Sequence, residues 1–547
     1  MTSAAHRLIE TLVANGVSHV FCVPGESYLA VLDALVDFKD RIQVITCRHE
    51  AAAANMAVAY GKLTRRAGVC FVTRGPGATH GSIGVHTASQ DSTPMIMFVG
   101  QVARSDRGRE GFQELDYPSV FGSMAKLAVE LSDPVRTVEV VTRAFATAQQ
   151  GRQGPVVVAL PEDVLAEDAG SRVPMAVTAS PAALSADALR TIEQRLSSSE
   201  RPLLILGGTG WTDESLAALS SWAGRIELPI ALSWRRKDLL DNDHPCYVGD
   251  LSIRPSPGLN ERIQAADLLI AIGSRMGDIP TTGYQLLSNE DAAQKLIHIH
   301  PSAEDLNRVW QASYTAIANE AEAAHALAKL TIAKRWSAWR SQARSDYERS
   351  IEPVTTIGAV NLSQIFTYLA KSLPADAILC NGAGNYAAWP NRFYRYRRPR
   401  TQLAPTSGAM GFGFPAAIAA KALHPERDVI ALAGDGCFLM AAQELATAVQ
   451  HGINVVTLVI DNGSYGTIRM YQERHYPGRV MATDLRNPDF AAYARAFGAW
   501  GATVEKTEDF AATFEQARRC GLPAILHVKT DVEDILPGQR LRGAQRA

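Results

Sequence analysis

Residues 428–466 read DVIALAGDGCFLMAAQELATAVQHGINVVTLVIDNGSYG. A buried-strand pattern over 429–433 stops at Gly434-Asp435-Gly436. A helical pattern follows over about 437–451, and a second β-branched run, 454–460, ends at Asp461-Asn462. A right-handed crossover makes the two strands parallel. Asp435 and Asn462 then arrive at the same carboxyl edge of the sheet, where open α/β sheets take their ligands. The glycines admit a close ligand, and the helix N-terminus beyond them attracts phosphate. A carboxylate, an amide oxygen and a nearby carbonyl make an oxygen-only set that suits Mg²⁺ when a diphosphate completes it. Gly-Asp-Gly alone is an ordinary capped turn. The asparagine after 25 intervening residues, at the next strand end, sets this one apart.

The same alternation runs outward through the chain. Strand patterns fall at 19–23, 43–46, 69–73, 95–99 and 156–160, then at 203–206, 267–272 and 296–299, and finally at 377–379, 429–433, 454–460 and 524–528. Residues 166–183 are rich in Ala, Ser and Pro and read as a linker, and WSAWRSQARSDYERS reads as a charged helical connector. The division that follows is 1–165, 184–335 and 356–547, three α/β domains each built on a doubly wound parallel sheet.

Composition agrees. The chain has 547 residues, 47% of them hydrophobic, and a formal charge of −2. That length accommodates three or four domains. Near-neutrality argues against a nucleic-acid or membrane-surface partner. Seven scattered cysteines with no C-x-x-C pair fit a reducing, cytoplasmic setting. The N-terminus carries charges within its apolar periodicity and reads as an amphipathic helix. The charge-free stretch 402–420 contains Pro405 and Pro415 and reads as a loop entering a helix.

GDG-x25-N resembles the diphosphate-magnesium signature of thiamine-diphosphate-dependent enzymes. VFCVPGESYLAVLDAL, RHEAAAANMAVAYG, VTRGPGATH and DSTPMIMFVGQV occur in the order of that family's pyrimidine-binding domain. The resemblance is to the acetolactate synthase branch and covers nearly the whole chain. It implies pyrimidine-binding, central and diphosphate-binding domains in that order, with thiamine diphosphate and Mg²⁺ as cofactors. Glu50 would engage N1′ of the aminopyrimidine and promote its imino tautomer. Met410, in PTSGAMGFGF, would prop the cofactor, with the backbone of Gly408 and Met410 against the pyrimidine. Asp435, Asn462 and the Ser464 carbonyl would hold the metal, Gly434 and Gly436 would flank it, and Asn385 would contact the diphosphate. Phe112 and Gln113 match a Phe-Gln pair lining the active site, and Arg275 matches an arginine that meets a substrate carboxylate.

Departures from the branch are as informative. Glu162 stands where a lysine is expected, Tyr471 where a tryptophan helps select the second 2-oxo acid, and Thr467 where a methionine is expected. Glu26, in VPGES, aligns with an acid of pyruvate decarboxylases, which makes it a proton donor or a group that disfavours a second carboxylate. The paired histidines of those decarboxylases are missing, and His80 and His86 read as structural. IHIHPSAEDL carries histidines where an Asp is common, which leaves FAD undecided. LLILGGTGWTDES has a nucleotide-type glycine turn without the full fingerprint. NRFYRYRRPR interleaves basic and aromatic residues and reads as an exposed edge with an ion-pair role.

The resemblance implies decarboxylation of a 2-oxo acid such as pyruvate and ligation of the product to a second carbonyl. The minimum unit is a homodimer with sites between subunits, and a tetramer is compatible with it. Three alternatives stand beside this reading. The first is a non-ligating decarboxylase or C–C lyase of the benzoylformate-decarboxylase type on a bulkier substrate. The others are a non-catalytic cofactor-binding relative and a nicotinamide oxidoreductase using the central domain.

Overall fold

The computed structural model describes residues 2–253 and 255–541. Met1 and residues 542–547, the outer ends of the first and last expected domains, lie outside the described residues.

Three six-stranded sheets, all parallel, follow one another along the chain. The first holds β1 (His19–Cys22), β2 (Gln43–Thr46), β3 (Gly68–Val72), β4 (Met95–Gln101), β5 (Leu127–Glu130) and β6 (Pro155–Pro161), in the order β2-β1-β3-β4-β6-β5. The central sheet holds β7 (Pro202–Leu206), β8 (Ile230–Ser233), β9 (Tyr247–Leu251), β10 (Leu268–Ile272), β11 (Leu296–His300) and β12 (Tyr314–Ile317). Its order, β9-β8-β7-β10-β11-β12, is that of the dinucleotide-binding folds. The last holds β13 (Ile378–Asn381), β14 (Gln402–Leu403), β15 (Val429–Gly434), β16 (Val456–Asp461), β17 (Trp500–Val504) and β18 (Ala524–Lys529). Its order, β14-β13-β15-β16-β18-β17, repeats that of the first sheet.

The first and last domains share a hydrophobic core. Helix Glu50–Thr64 packs against helix Gly413–Leu423, and residues of both belong to one buried cluster. Alanine-rich sequence makes this contact possible. Ala52, Ala53, Ala54, Ala57 and Ala59 are all buried, so neighbouring backbones approach closely. A Cβ on Gly84 of helix Gly75–Asp91 would fall 2.3 Å from the Ala54 Cβ.

The structure differs from the sequence pattern in two places. The helix expected over 437–451 is broken into Asp435–Leu439, a 3₁₀ turn at Ala442–Glu444 and Leu445–Gln450. The break turns Glu444 inward, where its carboxylate accepts the Arg48 backbone N–H at 3.1 and 3.2 Å and the Thr447 hydroxyl at 2.6 Å. The charged connector is helix Ser337–Ser350, and its Trp339, Ala343 and Tyr347, spaced by four, complete the central core. In NRFYRYRRPR, Tyr394 and Tyr396 are buried, while Arg395 and Arg400 pair with Asp243 and Asp213 of the central domain. Among the described residues no helix is long and apolar enough to cross a membrane.

Candidate active site

At the end of β15 the chain turns through Gly434 into helix Asp435–Leu439. Both glycines are needed for space. A Cβ on Gly434 would sit 2.9 Å from the Tyr386 ring, and one on Gly436 would sit 2.5 Å from the Tyr465 ring. Asp435 is therefore held between two aromatic walls and is buried. Burial raises its carboxyl to about 6, the mark of a carboxylate short of compensating positive charge. Asn487 Nδ2 donates to Asp435 Oδ2 at 2.7 Å and to Asp461 Oδ1 at 2.8 Å, and His527 Nε2 lies 2.8 Å from Asp461 Oδ2. Asn462 follows directly on β16. Its Oδ1 accepts the N–H of Ser464, whose hydroxyl is anchored on the Thr483 carbonyl. The donors in this corner are hard oxygens, so the residues fit Mg²⁺ and a diphosphate.

Asn385 opens the 3₁₀ turn after β13, and its Oδ1 accepts the Thr467 hydroxyl at 2.8 Å. Thr467 lies on helix Gly466–His475 with Tyr471, which is 44% exposed and stacks on His475. After β14, residues 404–412 form a loop that is anchored from the first domain. Asp91 accepts the Thr406 N–H at 2.5 Å and also its hydroxyl. Lys62 Nζ lies 2.6 Å from Asp91 Oδ2 and donates to the Ala404 carbonyl at 2.6 Å, with both charged side chains buried. Gly408 takes φ +69°, a left-handed backbone that a side chain would strain. Met410 packs against the shared core, and the Gly411 N–H reaches Cys437 Sγ beside the Asp435 turn.

In the first domain Glu50 is the first residue of helix Glu50–Thr64. The cap is His49, whose Nδ1 accepts the Ala51 N–H. The Glu50 side chain is 12% exposed, and its Oε2 lies 2.9 Å from His80 Nδ1. The strand before it is tied to the last domain, because Thr46 N–H donates to His451 Nε2 and Arg48 N–H donates to Glu444. Glu26 is 70% exposed at its side chain and lies 3.5 Å from Arg74, which also pairs with Glu162 at 2.5 Å. The two unexpected acids thus meet at one buried arginine. Gln113 takes a left-handed φ of +64°, and its carbonyl accepts the Gly75 N–H, while Phe112 is 71% exposed beside it. Arg275 extends from the central domain to the Gln90 carbonyl at 2.6 Å, and burial lowers its proton affinity to about 10.

Besides the Lys62–Asp91 pair, sequence reading overlooked Asn487 and the run Trp234–Asp238. Asn487 bridges Asp435 and Asp461 from a loop with no periodicity to mark it. The run Trp234–Asp238, which resembles an exposed charged patch, is buried against the site loops. Trp234 Nε1 reaches the Thr406 carbonyl, Arg235 the Gly382 carbonyl, and Arg236 the Asp91 carbonyl. The aromatic residue at its head was the available signal. The glycine turn after β7 does not fit a nucleotide phosphate. Glu320, buried beneath it, accepts the Thr209 N–H, and its Oε1 stands 2.0 Å from where a Gly208 Cβ would be.

The descriptions "Thiamine pyrophosphate enzyme" N-terminal TPP binding, central and C-terminal TPP binding domain match residues 2–120, 189–328 and 382–528. The acetolactate synthase large subunit of Parasynechococcus marenigrum (strain WH8102) is 31% identical over 92% of this chain and 84% of its own length. The chain belongs to the thiamine pyrophosphate enzyme family. The acetolactate synthase isozyme 2 large subunit of Escherichia coli (strain K12) is 29% identical over 98% of this chain and 97% of its own. The probable acetolactate synthase large subunit of Methanocaldococcus jannaschii is 30% identical over 97% and 93%. As a thiamine pyrophosphate enzyme the chain takes thiamine diphosphate as its cofactor, and Mg²⁺ is the usual partner ion, which the oxygen donors of the Asp435 corner fit.

Proposed function

We propose that this thiamine pyrophosphate enzyme is a Mg²⁺-dependent decarboxylase and carboligase of the acetolactate synthase type, acting on a 2-oxo acid such as pyruvate and on a second carbonyl compound. The observation that carries this reading is the correspondence with acetolactate synthase large subunits across all three domains. Thiamine diphosphate, when bound, supplies the electron sink that lets a 2-oxo acid lose CO₂ and pass its acyl carbon on.

The chain's own residues divide the remaining work. Asp435, Asn462 and the Ser464 carbonyl hold the metal, and Gly434 and Gly436 let the diphosphate come close. Asn385 meets the diphosphate, oriented by Thr467. Glu50 holds a proton at its carboxyl toward the pyrimidine ring nitrogen, while Gly408 and Met410 shape the opposite wall. Phe112, Gln113 and Tyr471 line the substrate side. Glu26 lies at the same rim with Arg74, where it is placed to donate a proton or to turn away a second carboxylate. Arg275 spends one N–H on the Gln90 carbonyl, and its remaining donors serve the substrate carboxylate. Excluding water from this pocket favours ligation over protonation.

Leu439, Met440 and Phe112 expose apolar surface near these residues, which suits coverage by a second copy in a homodimer. Solution scattering separates a dimer from a tetramer. The seven thiols, with no disulfide among the described residues, support a cytoplasmic setting. Three units, 1–165, 184–335 and 356–547, remain the proposed domain division.

Product analysis by mass spectrometry after feeding the holoenzyme pairs of 2-oxo acids and aldehydes tests the activity. Five-carbon 2-hydroxy-2-methyl acid from pyruvate alone is the expected outcome. Thr467 and Tyr471, at positions where the branch has Met and Trp, favour a second reading, a non-ligating decarboxylase. Aldehyde as the only product would establish that reading. No CO₂ from any 2-oxo acid would leave a binding protein.

A further inference from the structure

We propose that His80 is a positioning residue for Glu50, donating from Nδ1 to Oε2 and so presenting the other carboxylate oxygen to the pyrimidine ring nitrogen. This rests on the reading that Glu50 faces the cofactor. The contact is 2.9 Å, and among the described residues His80 is the hydrogen-bond partner of the Glu50 carboxylate. With the Glu50 proton on Oε1, toward the pyrimidine, Oε2 is the acceptor and Nδ1 carries the proton of this bond.

The surroundings suit alignment of a side chain better than stability of a helix end. Helix Glu50–Thr64 is already capped by His49, whose Nδ1 accepts the Ala51 N–H. Glu50 is thus free of the capping role that a glutamate at a helix start usually fills. Accepting that bond places the remaining proton of a neutral His49 on Nε2. Burial, then the neighbouring His80, lower the proton affinity of His49, so the pair resists carrying two charges. The two rings lie with centroids 4.6 Å apart at 30°, so His49 packs against the His80 ring beside the carboxylate and limits its rotation.

His80 sits on the second turn of helix Gly75–Asp91, and the helix face before it is stripped of side chains. A Cβ on Gly77 would lie 2.9 Å from Thr73 Cγ2 and 3.4 Å from Glu50 Oε1. Oε1 consequently faces the Gly77 backbone, while Oε2 faces the imidazole. The other titratable groups facing this carboxylate are His49, whose ring nitrogen lies within 4.8 Å of it and whose Nδ1 is committed to the Ala51 N–H, and Tyr28, whose hydroxyl is committed to the Val23 carbonyl. One oxygen is held and one is presented. His80 itself is 53% exposed at its side chain, so its replacement leaves no cavity in the core.

The test uses holoenzyme of the parent protein and of His80→Ala, His80→Asn and Glu50→Gln. It reads hydrogen–deuterium exchange at the cofactor C2 position by NMR after acid quench, and cofactor affinity by titration. Glu50→Gln should slow exchange about a hundredfold or more, the scale of a lost acid–base group. His80→Ala should slow it about tenfold, the scale of one hydrogen bond to a charged group, with affinity changed less than about threefold. His80→Asn, whose amide nitrogen can stand in for Nδ1, should recover most of the rate. Parent-like exchange in Glu50→Gln overturns the role of Glu50 and this proposal with it. Slow exchange in Glu50→Gln beside parent-like exchange in His80→Ala overturns His80 alone. An Asn variant no faster than Ala overturns the hydrogen bond as its means.

Discussion

The first and last domains repeat one strand order, and the same two crossovers in each reach the candidate site. After its second strand the first domain enters helix Glu50–Thr64 directly, with a carboxylate at the first position, whereas the last domain runs through the apolar loop 404–412 before helix Gly413–Leu423. After the third strand the arrangement is reversed. The first domain passes through Arg74-Gly75-Pro76-Gly77 with no acid, and the last turns through Gly434 onto Asp435. Each domain thus spends one crossover on a carboxylate and one on a close backbone approach, and the assignment is swapped between them. The fold decides where a helix begins, and the residue at that point decides whether the edge presents a carboxylate or bare backbone.

The comparison breaks first at Asp435. Its oxygen is the charged member of the proposed metal set, and nothing equivalent follows β3. Asp435→Ala should cost about a thousandfold in Mg²⁺-dependent cofactor affinity, on the order of 4 kcal/mol. Isothermal titration with and without chelator checks this, and a loss under tenfold would place the metal elsewhere.

The swap also needs the two domains held in register, and Lys62, Asp91 and Thr406 do that across the shared core. Removing one partner of a buried pair leaves an uncompensated charge, at a cost of roughly 3–5 kcal/mol. Lys62→Met should therefore lower denaturant stability by about that amount. Lys62→Met with Asp91→Leu should recover much of it while removing the Lys62 and Asp91 side-chain bonds to the 404–412 loop. Recovered stability together with parent-like cofactor affinity would show that the tether serves stability only.

The central domain gives the contrast. It follows the dinucleotide-binding strand order, yet it closes its glycine turn with Glu320 and fills β11 with His298 and His300. Burial lowers the proton affinity of His300 to about 4, and that of His298, His19, His244 and His451 also falls. Folded values below the unfolded 6.5 mean that the unfolded chain takes up more protons as pH drops. The stability is present above about 6.5 and is lost toward 4. His300 contributes roughly 3 kcal/mol to that loss. Thermal unfolding between pH 7 and 4.5 should show it, and His300→Gln should flatten the slope. An unchanged slope would assign it to the other histidines.

Much of this was legible in the sequence, for physical reasons. Strands buried on both faces, such as β3, β4, β7, β10, β15 and β16, read as continuous apolar runs. The strands that went unread were β5, β8, β9, β12, β14 and β17, and all but β8 are sheet edges. Of these edges β5, β12 and most of β17 are part-exposed, and β14 has two residues, so none of the four leaves a long buried apolar run. At the site, Asp435, Asn462 and Glu50 were legible because each stands where a strand gives way to a turn or a helix. Arg235 and the Lys62–Asp91 pair were not, because what marks them is burial against another domain, and Asn487 was not, because its partners Asp435 and Asp461 lie 52 and 26 residues away in the chain; no local pattern records either. His80 lay in between. Its position on a glycine-rich helix was visible, but its contact with Glu50, 30 residues away, was not.

The smallest effect concerns Thr467, which stands where the acetolactate synthase branch has a methionine. On sequence grounds it belongs to the substrate wall. In the folded chain its hydroxyl is spent on Asn385 Oδ1 at 2.8 Å, so it also belongs to the diphosphate side. The two roles separate kinetically. Thr467→Val keeps the shape and removes the hydrogen bond, at about 1 kcal/mol. If orientation of Asn385 is its work, cofactor affinity falls about fivefold and the KM for the 2-oxo acid stays within twofold. If the substrate wall is its work, KM moves and cofactor affinity does not. Thr467→Met should then shift the balance of ligation and protonation without weakening the cofactor. The hydrogen bond favours the first outcome, because a donor committed to a neighbouring amide has no second proton to offer a substrate.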